Sequence, residues 1–202
     1  MKRLYLMRHG QTVYNLEERV QGRCDSPLTE LGIEQARRAG AWLAAQSAAF
    51  DRICSSPIGR AYATAESVRS VLESCSVDAA PVPAIEAIDG LKERCYGSFE
   101  GGPQADVPAD VWDPEELLVP YGGEGSIELR TRMVATLTGL MRDASVRTLL
   151  AVSHGSATLQ FKKAWEHAAT CDQGRPLGNC CVLVFDFDEV AEAFSCTKIH
   201  NG

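Results

Sequence analysis

Two histidines follow strand-like runs of apolar residues, and a glycine comes directly after each. His9 follows the run Leu4-Tyr5-Leu6-Met7, with Arg8 between them. His154 comes one residue after the run Leu149-Leu150-Ala151-Val152. The carboxyl ends of strands in an open α/β sheet form the crevice in which ligands bind. Two imidazoles that meet there beside a guanidinium indicate nucleophilic chemistry on a phosphate group.

The size and charge of the chain restrict the class of protein. Its 202 residues, 45% of them hydrophobic, are enough to bury the core of a single domain over 1–202. No apolar run reaches the roughly 18 residues of a membrane span, and Arg8 interrupts the first one, so we expect no signal peptide, no membrane partner and a cytoplasmic location. The net charge of −7 argues against a nucleic-acid partner.

The eight cysteines do not form a recognisable framework. They show no C-x-x-C pair and no paired spacing with histidine, which argues against a zinc site. The chain is also longer than a disulfide-stapled secreted domain, so we expect reduced thiols. No cluster of carboxylates suggests a metal, and we expect neither a metal nor a cofactor.

Alternating strand and helix patterns predict the fold. Thr29 is suited to cap a helix, and Ser56 is suited to cap another in which Pro57 is the first helical residue. Strands alternating with helices favour an α/β, three-layer sandwich, with a mostly parallel central sheet covered by helices on both faces. The predicted apolar faces of the first two long helices are Leu31, Ala36, Ala39, Trp42 and Leu43, then Ala61, Ala65, Val68 and Leu72.

Residues 97–125 differ from the rest of the chain. They hold six glycines, four prolines and seven acidic residues, with no lysine or arginine. An irregular segment of this length is usually functional or disordered. We therefore expect a loop-rich lid insertion over about 97–125.

Five motifs, in order along the chain, resemble those of the histidine phosphatases related to cofactor-dependent phosphoglycerate mutase. The resemblance extends over nearly the whole chain and is weakest between about 102 and 122. The motifs are Arg8-His9-Gly10-Gln11-Thr12-x-x-Asn15, Gln21-Gly22-x-x-Asp25-Ser26-Pro27-Leu28-Thr29-x-x-Gly32, Ser55-Ser56-Pro57-x-x-Arg60-Ala61-x-x-Thr64-Ala65, Leu91-x-Glu93-x-x-x-Gly97-x-x-Glu100-Gly101 and Ser153-His154-Gly155.

The resemblance implies a role for the first histidine and its neighbours. His9 would be the nucleophile that forms a phosphohistidine, which requires a hydrogen bond that fixes its tautomer. Arg8, Arg60 and His154 would stabilise the charge that spreads over the phosphoryl oxygens. A buried core histidine and surface salt bridges are the alternative interpretations of these residues. We expect the phosphate or substrate to contact Asn15, Gln21, Gly22 and Gly155, although polar loop residues would show the same pattern.

The reaction also needs a proton for the leaving group and then a base for water. One carboxyl group can do both in sequence, and Glu93 stands at the family's position for it. A solvated glutamate beside Lys92 and Arg94 is the alternative. For Glu100, the resemblance implies a structural role.

Three functions remain open at this stage. Hydrolysis of a small phosphate monoester by a histidine acid-type phosphomonoesterase is favoured, because an acidic lid over residues 95–129 would repel a polyanionic substrate. Trp112, Tyr121 and the run Leu117-Leu118-Val119 would contact an apolar remainder of the substrate. The alternative is a solvated acidic loop that touches no substrate. Phosphoryl transfer of the phosphoglycerate mutase type is the first alternative, and non-catalytic binding of a phospho-ligand or protein is the second. A homodimer is compatible with the sequence.

Cys95 replaces the histidine of the mutase-branch pattern Glu-Arg-His-Tyr-Gly. In a β segment, residues 93 and 95 point to the same face, which would place this thiol beside the Glu93 carboxyl group. We therefore expect mild peroxide to lower activity through Cys95 or Cys24.

Overall fold

A six-stranded sheet forms the centre of the molecule. The computed structural model describes residues 1–46, 49–75 and 81–201. Within them, the strand order is β3-β2-β4-β1-β5-β6. The strands are β1 (Lys2–Arg8), β2 (Arg52–Ser55), β3 (Ile85–Ala87), β4 (Thr148–Ser153), β5 (Val182–Asp188) and β6 (Ala193–His200). Strands β1 to β4 are mutually parallel, whereas β5 and β6 continue the sheet in antiparallel pairing.

Helices cover both faces of the sheet, which confirms the predicted three-layer α/β class. Along β1, Leu4 and Leu6 belong to the core cluster beneath the fourth and fifth helices. Tyr5 and Met7 alternate with them and belong to the cluster beneath the second and third helices. The α-helices are α1 (Val13–Leu16), α2 (Glu30–Ala45), α3 (Gly59–Cys75), α4 (Ser126–Arg142) and α5 (Gly155–Ala164). Within the described residues, no helix combines the length and the hydropathy of a membrane span.

The predicted start is correct for α2 and two residues too early for α3. Thr29 caps α2 as predicted, because its hydroxyl accepts the N–H of Gly32 at 3.0 Å. Helix α3 begins at Gly59, two residues later than predicted, although the Ser56 hydroxyl does accept the N–H of Ile58 at 3.2 Å. Leu31 was wrongly assigned to the buried face of α2, since it is 47% exposed.

Residues 97–125 carry short 3-10 helices and pack on a small core of their own. The 3-10 helices are Gly97–Phe99, Gln104–Asp106 and Val119–Tyr121. Val107 and Leu118 bury their side chains against Val20 and Tyr96. Trp112 of the same segment lies over Arg8, the last residue of β1.

Candidate active site

The strand pairing brings the two histidines together. β1 and β4 are adjacent and parallel, with Arg8 opposite Ser153, so the residues that follow each strand meet at one edge of the sheet. The N–H of His9 donates to the Ser153 carbonyl at 3.0 Å. The imidazole rings of His9 and His154 lie edge to face, with their centroids 5.2 Å apart.

The hydrogen bonds of His9 fix its tautomer. Its Nδ1 lies 2.7 Å from the Gly10 carbonyl oxygen, which can only accept, so Nδ1 carries the proton. The Arg60 Nε–H can only donate, and it lies 3.2 Å from Nε2. Nε2 therefore carries a lone pair, which accepts the Arg60 N–H. Burial lowers the pKa of His9 well below 6.5, and the positive charges of Arg60 and Arg8 add to this effect, so the ring is neutral at neutral pH.

The Arg60 guanidinium is locked in place under His9. It is almost fully buried and donates to the carbonyl oxygens of Gly22 at 2.7 Å and Cys24 at 2.9 Å, with the Asp25 carboxylate 3.4 Å away. Such a fixed planar donor suits an anionic ligand, since little side-chain entropy is lost when the ligand binds.

Arg8 is also buried but is less completely satisfied. Its Nη1 donates to the Leu177 carbonyl at 2.9 Å, and the ring of Trp112 lies 4.6 Å from its guanidinium carbon. Within the described part of the chain, its buried Nε has no hydrogen-bond partner. A buried guanidinium with an unused donor leaves electrostatic and hydrogen-bonding capacity for an anion.

His154 is fully buried behind the pocket. Its Nε2 lies 2.8 Å from the Ser56 hydroxyl, and its buried Nδ1 has no partner among the described residues. Burial, then the positive charge of Arg60, lowers the pKa of His154 well below 6.5. The ring is therefore neutral and can donate one hydrogen bond.

Glu93 is held at the N-terminus of α5. The backbone N–H groups of Arg94, Ala157 and Ser156 donate to its carboxylate at 2.8, 2.9 and 3.1 Å. The side chain is 7% exposed, so the alternative of a solvated glutamate is wrong. These donors fix the carboxyl group at the edge of the pocket. The Glu100 carboxylate accepts the backbone N–H groups of Arg23, Cys24 and Tyr96, which agrees with the structural role expected for it.

The amide oxygens of two pocket side chains are already occupied. Asn15 Oδ1 accepts the Thr12 N–H at 3.1 Å and the Asn179 side-chain amide at 3.3 Å. Gln21 Oε1 accepts the Thr12 hydroxyl at 2.9 Å. Each side chain is thereby oriented with its NH₂ group available for a ligand oxygen.

Two glycines are required by close approaches. Gly22 has φ +54, and a Cβ there would lie 2.4 Å from the Glu100 Oε1. A Cβ on Gly155 would lie 2.8 Å from the Trp112 ring. Larger residues at either position would displace a wall of the pocket.

Eight of the nine predicted site residues line one pocket of about 480 Å³, counting its open mouth; His154 is the exception. Among the described lining residues, three guanidinium groups face one carboxylate, that of Glu93. The third guanidinium is that of Arg19, which stacks on Tyr14 with 4.2 Å between the guanidinium carbon and the ring centroid. The pocket is therefore positive and suited to an anionic ligand.

The acidic residues of the lid do not face this pocket. Asp113 pairs with Lys163 and with the buried Arg94, and Glu124 receives two hydrogen bonds from Arg132, each 2.8 Å long. Neutral side chains, Trp112 among them, are what residues 97–125 contribute to the described pocket wall. The expected repulsion by an acidic lid is thus wrong for the pocket itself. Most of the expected apolar contacts with a substrate are also wrong. Leu117, Val119 and Tyr121 are about half exposed, Leu118 is buried in the lid core, and none of the four lines the pocket.

The sequence did not single out several residues that shape the site. The Asn179 side chain donates to the His9 carbonyl at 3.3 Å, and the Tyr96 hydroxyl contacts Ser156 Oγ at 2.7 Å. Arg19 and Gln104 line the pocket mouth. Of these residues, Tyr96 lies within one of the five motifs, and that position was the one available signal. Asn179, Arg19 and Gln104 lie in stretches with no recognisable spacing.

The Cys95 thiol does not approach the Glu93 carboxyl group as expected. Residues 92–96 form no strand in the described structure, and the Cys95 Sγ contacts the Gly122 carbonyl at 3.7 Å. Cys24 Sγ contacts the Asp25 carbonyl at 3.9 Å. Neither thiol lines the pocket, so the premise of the peroxide expectation is not met.

The chain is similar to proteins whose names refer to two different activities. The chain is 32% identical over 193 residues to the uncharacterized phosphatase PhoE of Bacillus subtilis, covering 94% of this chain and 90% of that one. It is 32% identical over 159 residues to the probable phosphoglycerate mutase GpmB of Proteus mirabilis, covering 78% and 71%.

Solved structures and a family model agree with these relatives. The structure of YhfR from Bacillus stearothermophilus superposes with a TM-score of 0.78 at 27% identity, covering 98% of this chain and 96% of that one. The model of the histidine phosphatase superfamily (branch 1) matches residues 4–199. The chain therefore belongs to branch 1 of the histidine phosphatase superfamily.

Proposed function

We propose that the protein hydrolyses a small phosphate monoester through a phosphohistidine at His9. The observation that carries this proposal is the tautomer of His9, whose Nδ1–H is bound to the Gly10 carbonyl while Nε2 keeps its lone pair beside Arg60. A neutral imidazole held in this way is a nucleophile that needs no prior deprotonation.

In the first step, the Arg60 Nε–H transfers its hydrogen bond from Nε2 to a phosphoryl oxygen, Nε2 attacks phosphorus, and the bond to the ester oxygen breaks. Negative charge spreads over the three equatorial oxygens, and the guanidinium groups of Arg8 and Arg60 compensate it. The side-chain amides of Asn15 and Gln21 supply neutral donors. This step requires Glu93 in its protonated form, which gives its proton to the departing alkoxide so that it leaves as the alcohol.

In the second step, water replaces the imidazole on phosphorus. Glu93, now a carboxylate, takes a proton from the water as the P–N bond breaks, and inorganic phosphate and neutral His9 are restored. One carboxyl group thus acts in both directions, and its backbone donors hold it in the same place for each step.

The lining of the pocket supports hydrolysis and a small substrate with a neutral or apolar remainder. The lid contributes Val111, Trp112 and Gln104 to the wall, and none of these can neutralise a second acid group. Val20 adds a further apolar surface. A mutase must bind a second acid group and exclude water during transfer, which calls for additional cations over the pocket.

One feature favours the mutase alternative. The third guanidinium, that of Arg19, reaches the pocket wall and is 40% exposed, so it can meet an acid group of the substrate. Assays with 3-phosphoglycerate and 2,3-bisphosphoglycerate separate the two functions: hydrolysis predicts release of inorganic phosphate, whereas efficient isomerisation would establish the mutase.

Trapping the intermediate tests the proposal directly. Rapid acid-free quenching of the wild type with p-nitrophenyl phosphate should yield an acid-labile phosphoenzyme that peptide mapping assigns to His9. His9→Ala should lose turnover and the trapped species. His167→Ala, which removes an exposed histidine, is the matched control and should keep both. Substantial turnover by His9→Ala would overturn the assignment.

A screen of phosphate monoesters identifies the class of substrate. Sugar phosphates, nucleotides, phosphoserine and phosphorylated cofactor precursors represent neutral, aromatic and zwitterionic remainders. Because guanidinium groups supply the positive charge around the phosphate, we expect a chelator to leave each of these activities unchanged.

A further inference from the structure

The buried Nδ1 of His154 is a polar atom without a hydrogen-bond partner among the described residues. Leaving such an atom unpaired is unfavourable, so its partner is expected in a liganded state. The His154 ring lies against His9, with 5.2 Å between the centroids. A phosphoryl group on His9 would be the anion next to this ring.

Whether Nδ1 can donate depends on the hydrogen bond at the other ring nitrogen. Nε2 of His154 lies 2.8 Å from the Ser56 hydroxyl. That oxygen already accepts the Ile58 N–H at 3.2 Å, and Nε2 is its remaining described partner. If Nε2 carried the proton instead, the Ser56 hydroxyl proton would be buried without an acceptor. The network is satisfied when Ser56 donates to Nε2.

We propose that Ser56 is a positioning residue: its hydroxyl donates to Nε2 of His154 and so holds the tautomer whose Nδ1–H binds the phosphoryl group on His9. The inference rests on the proposed function for the identity of that group. Burial keeps the pKa of His154 low, so the ring has one proton to place, and Ser56 decides where it is placed.

The tautomer can be measured without turnover. In protein labelled with ¹⁵N-histidine, long-range ¹H–¹⁵N correlation distinguishes a protonated ring nitrogen from a bare one. The wild type should show His154 protonated at Nδ1, and titration with inorganic phosphate should move this proton's resonance downfield. His154 protonated at Nε2 in the wild type would overturn the proposal.

Variants of the adjacent serines provide a matched pair. Ser56→Ala should give a mixture of His154 tautomers and form phosphohistidine about tenfold more slowly in single turnover. Ser55→Ala removes an equally buried hydroxyl that donates to the Ser56 carbonyl at 3.0 Å, and it should change neither readout. Ser56→Thr keeps a hydroxyl and should restore the Nδ1–H tautomer.

The outcomes separate this inference from the proposed function. A folded Ser56→Ala protein with the wild-type tautomer and rate would overturn the role of Ser56. If Ser56→Ala does not fold, the tautomer of the wild type and its response to phosphate still decide. Absence of phosphohistidine in the wild type would overturn the proposed function, while the ring tautomer and its hydrogen bond to Ser56 would be tested as before.

Discussion

The ring of Trp112 covers the guanidinium of Arg8, with 4.6 Å between the ring centroid and the guanidinium carbon. The Asp110 carboxylate accepts the backbone N–H of Trp112 at 2.9 Å, and the Val111 carbonyl accepts the Tyr96 hydroxyl at 2.5 Å. The lid thus contacts the pocket through the cation–π pair of Trp112 with Arg8 and through the hydrogen bond from Tyr96 to Val111. The cation–π contact shields Arg8 from water and strengthens its attraction to an anion.

Removing the ring should weaken binding of the phosphate. We expect Trp112→Ala to raise KM and the inhibition constant of inorganic phosphate about 2- to 30-fold, which corresponds to the ~0.5–2 kcal/mol of a cation–π contact. Trp112→Phe should lie between this variant and the wild type. Tyr121→Ala removes an exposed aromatic of the same segment and serves as the control. Equal changes in the Trp112 and Tyr121 variants would contradict the role of the contact.

Substitution of Gly155, which lies beneath the ring, should affect activity as strongly as loss of the ring. In Gly155→Ala, the new Cβ would lie 2.8 Å from Trp112, so the ring must move off Arg8 and kcat/KM should fall. Adding Trp112→Ala removes the clash, and the double variant should be no worse than Trp112→Ala alone. A double-mutant cycle measures this coupling. Additive losses would show that Gly155 acts in another way, such as through the N-terminus of α5.

The sequence predicted the site residues that lie next to the end of a strand. Arg8 and His9 follow a strand, and any parallel neighbour of that strand had to bring its own carboxyl end to the same edge. The ordered motifs added Arg60 and Glu93. Arg60 also stands shortly after a strand-like run, whereas Glu93 was identified only by its position in the motif.

The contacts that the sequence could not give are those between distant segments. Asn179 contacts His9, 170 positions away in the chain, because β5 pairs with β1 in the sheet. No periodicity or spacing in the sequence predicts this pairing. The lid acids were expected to face the substrate because their partners could not be known. Lys163 and Arg94, which pair with Asp113, come from α5 and from the loop after Glu93. Cys95 was misplaced because a strand was assumed where the backbone instead binds Glu124.

The acid role of Glu93 predicts a dependence on the leaving group. Glu93→Gln should slow hydrolysis of alkyl phosphates by about 10²- to 10⁴-fold, the usual contribution of a general acid. Formation of phosphohistidine from p-nitrophenyl phosphate should slow far less, because p-nitrophenolate leaves without a proton. Rapid-quench measurement of the first step for each substrate checks this. Equal losses for both substrates would remove Glu93 from the acid role.

The two buried histidines predict how stability depends on pH. Burial lowers the pKa of His9 and His154 well below 6.5, so the unfolded chain binds protons there that the folded protein does not. Their contribution is complete above about pH 6.5 and is lost as the pH falls, by up to about 1.4 kcal/mol per pH unit for each ring. Urea unfolding between about pH 7 and pH 5 measures this slope.

A variant without these rings provides the comparison for that slope. His9→Gln/His154→Gln has no imidazole to protonate at either position, so its free energy of unfolding should fall less steeply over the same pH range. The comparison uses the slope alone, because the substitutions also change packing. Parallel slopes for the two proteins would mean that the buried rings are not the source of the pH dependence.

Asp113 should stabilise the packing of the lid through its charge. Burial alone would raise the pKa of Asp113, but hydrogen bonds from Lys163 and Ser126 outweigh it, and the pKa lies below its ordinary value. The stabilisation is present above about pH 4 and is lost as the pH falls further. At neutral pH, Asp113→Asn should therefore lower the free energy of unfolding by about 1–3 kcal/mol and increase the solvent exposure of the lid.

The control for Asp113 comes from the same segment. Asp106 is exposed, so Asp106→Asn changes the same charge without breaking an ion pair and should unfold like the wild type. The difference between the two variants in urea midpoint should shrink below about pH 4, because protonation of Asp113 then removes the interaction from the wild type as well. Hydrogen exchange of residues 110–125 should rise in Asp113→Asn alone. Similar exchange in both variants would show that the lid is held by its apolar core around Leu118 rather than by this carboxylate.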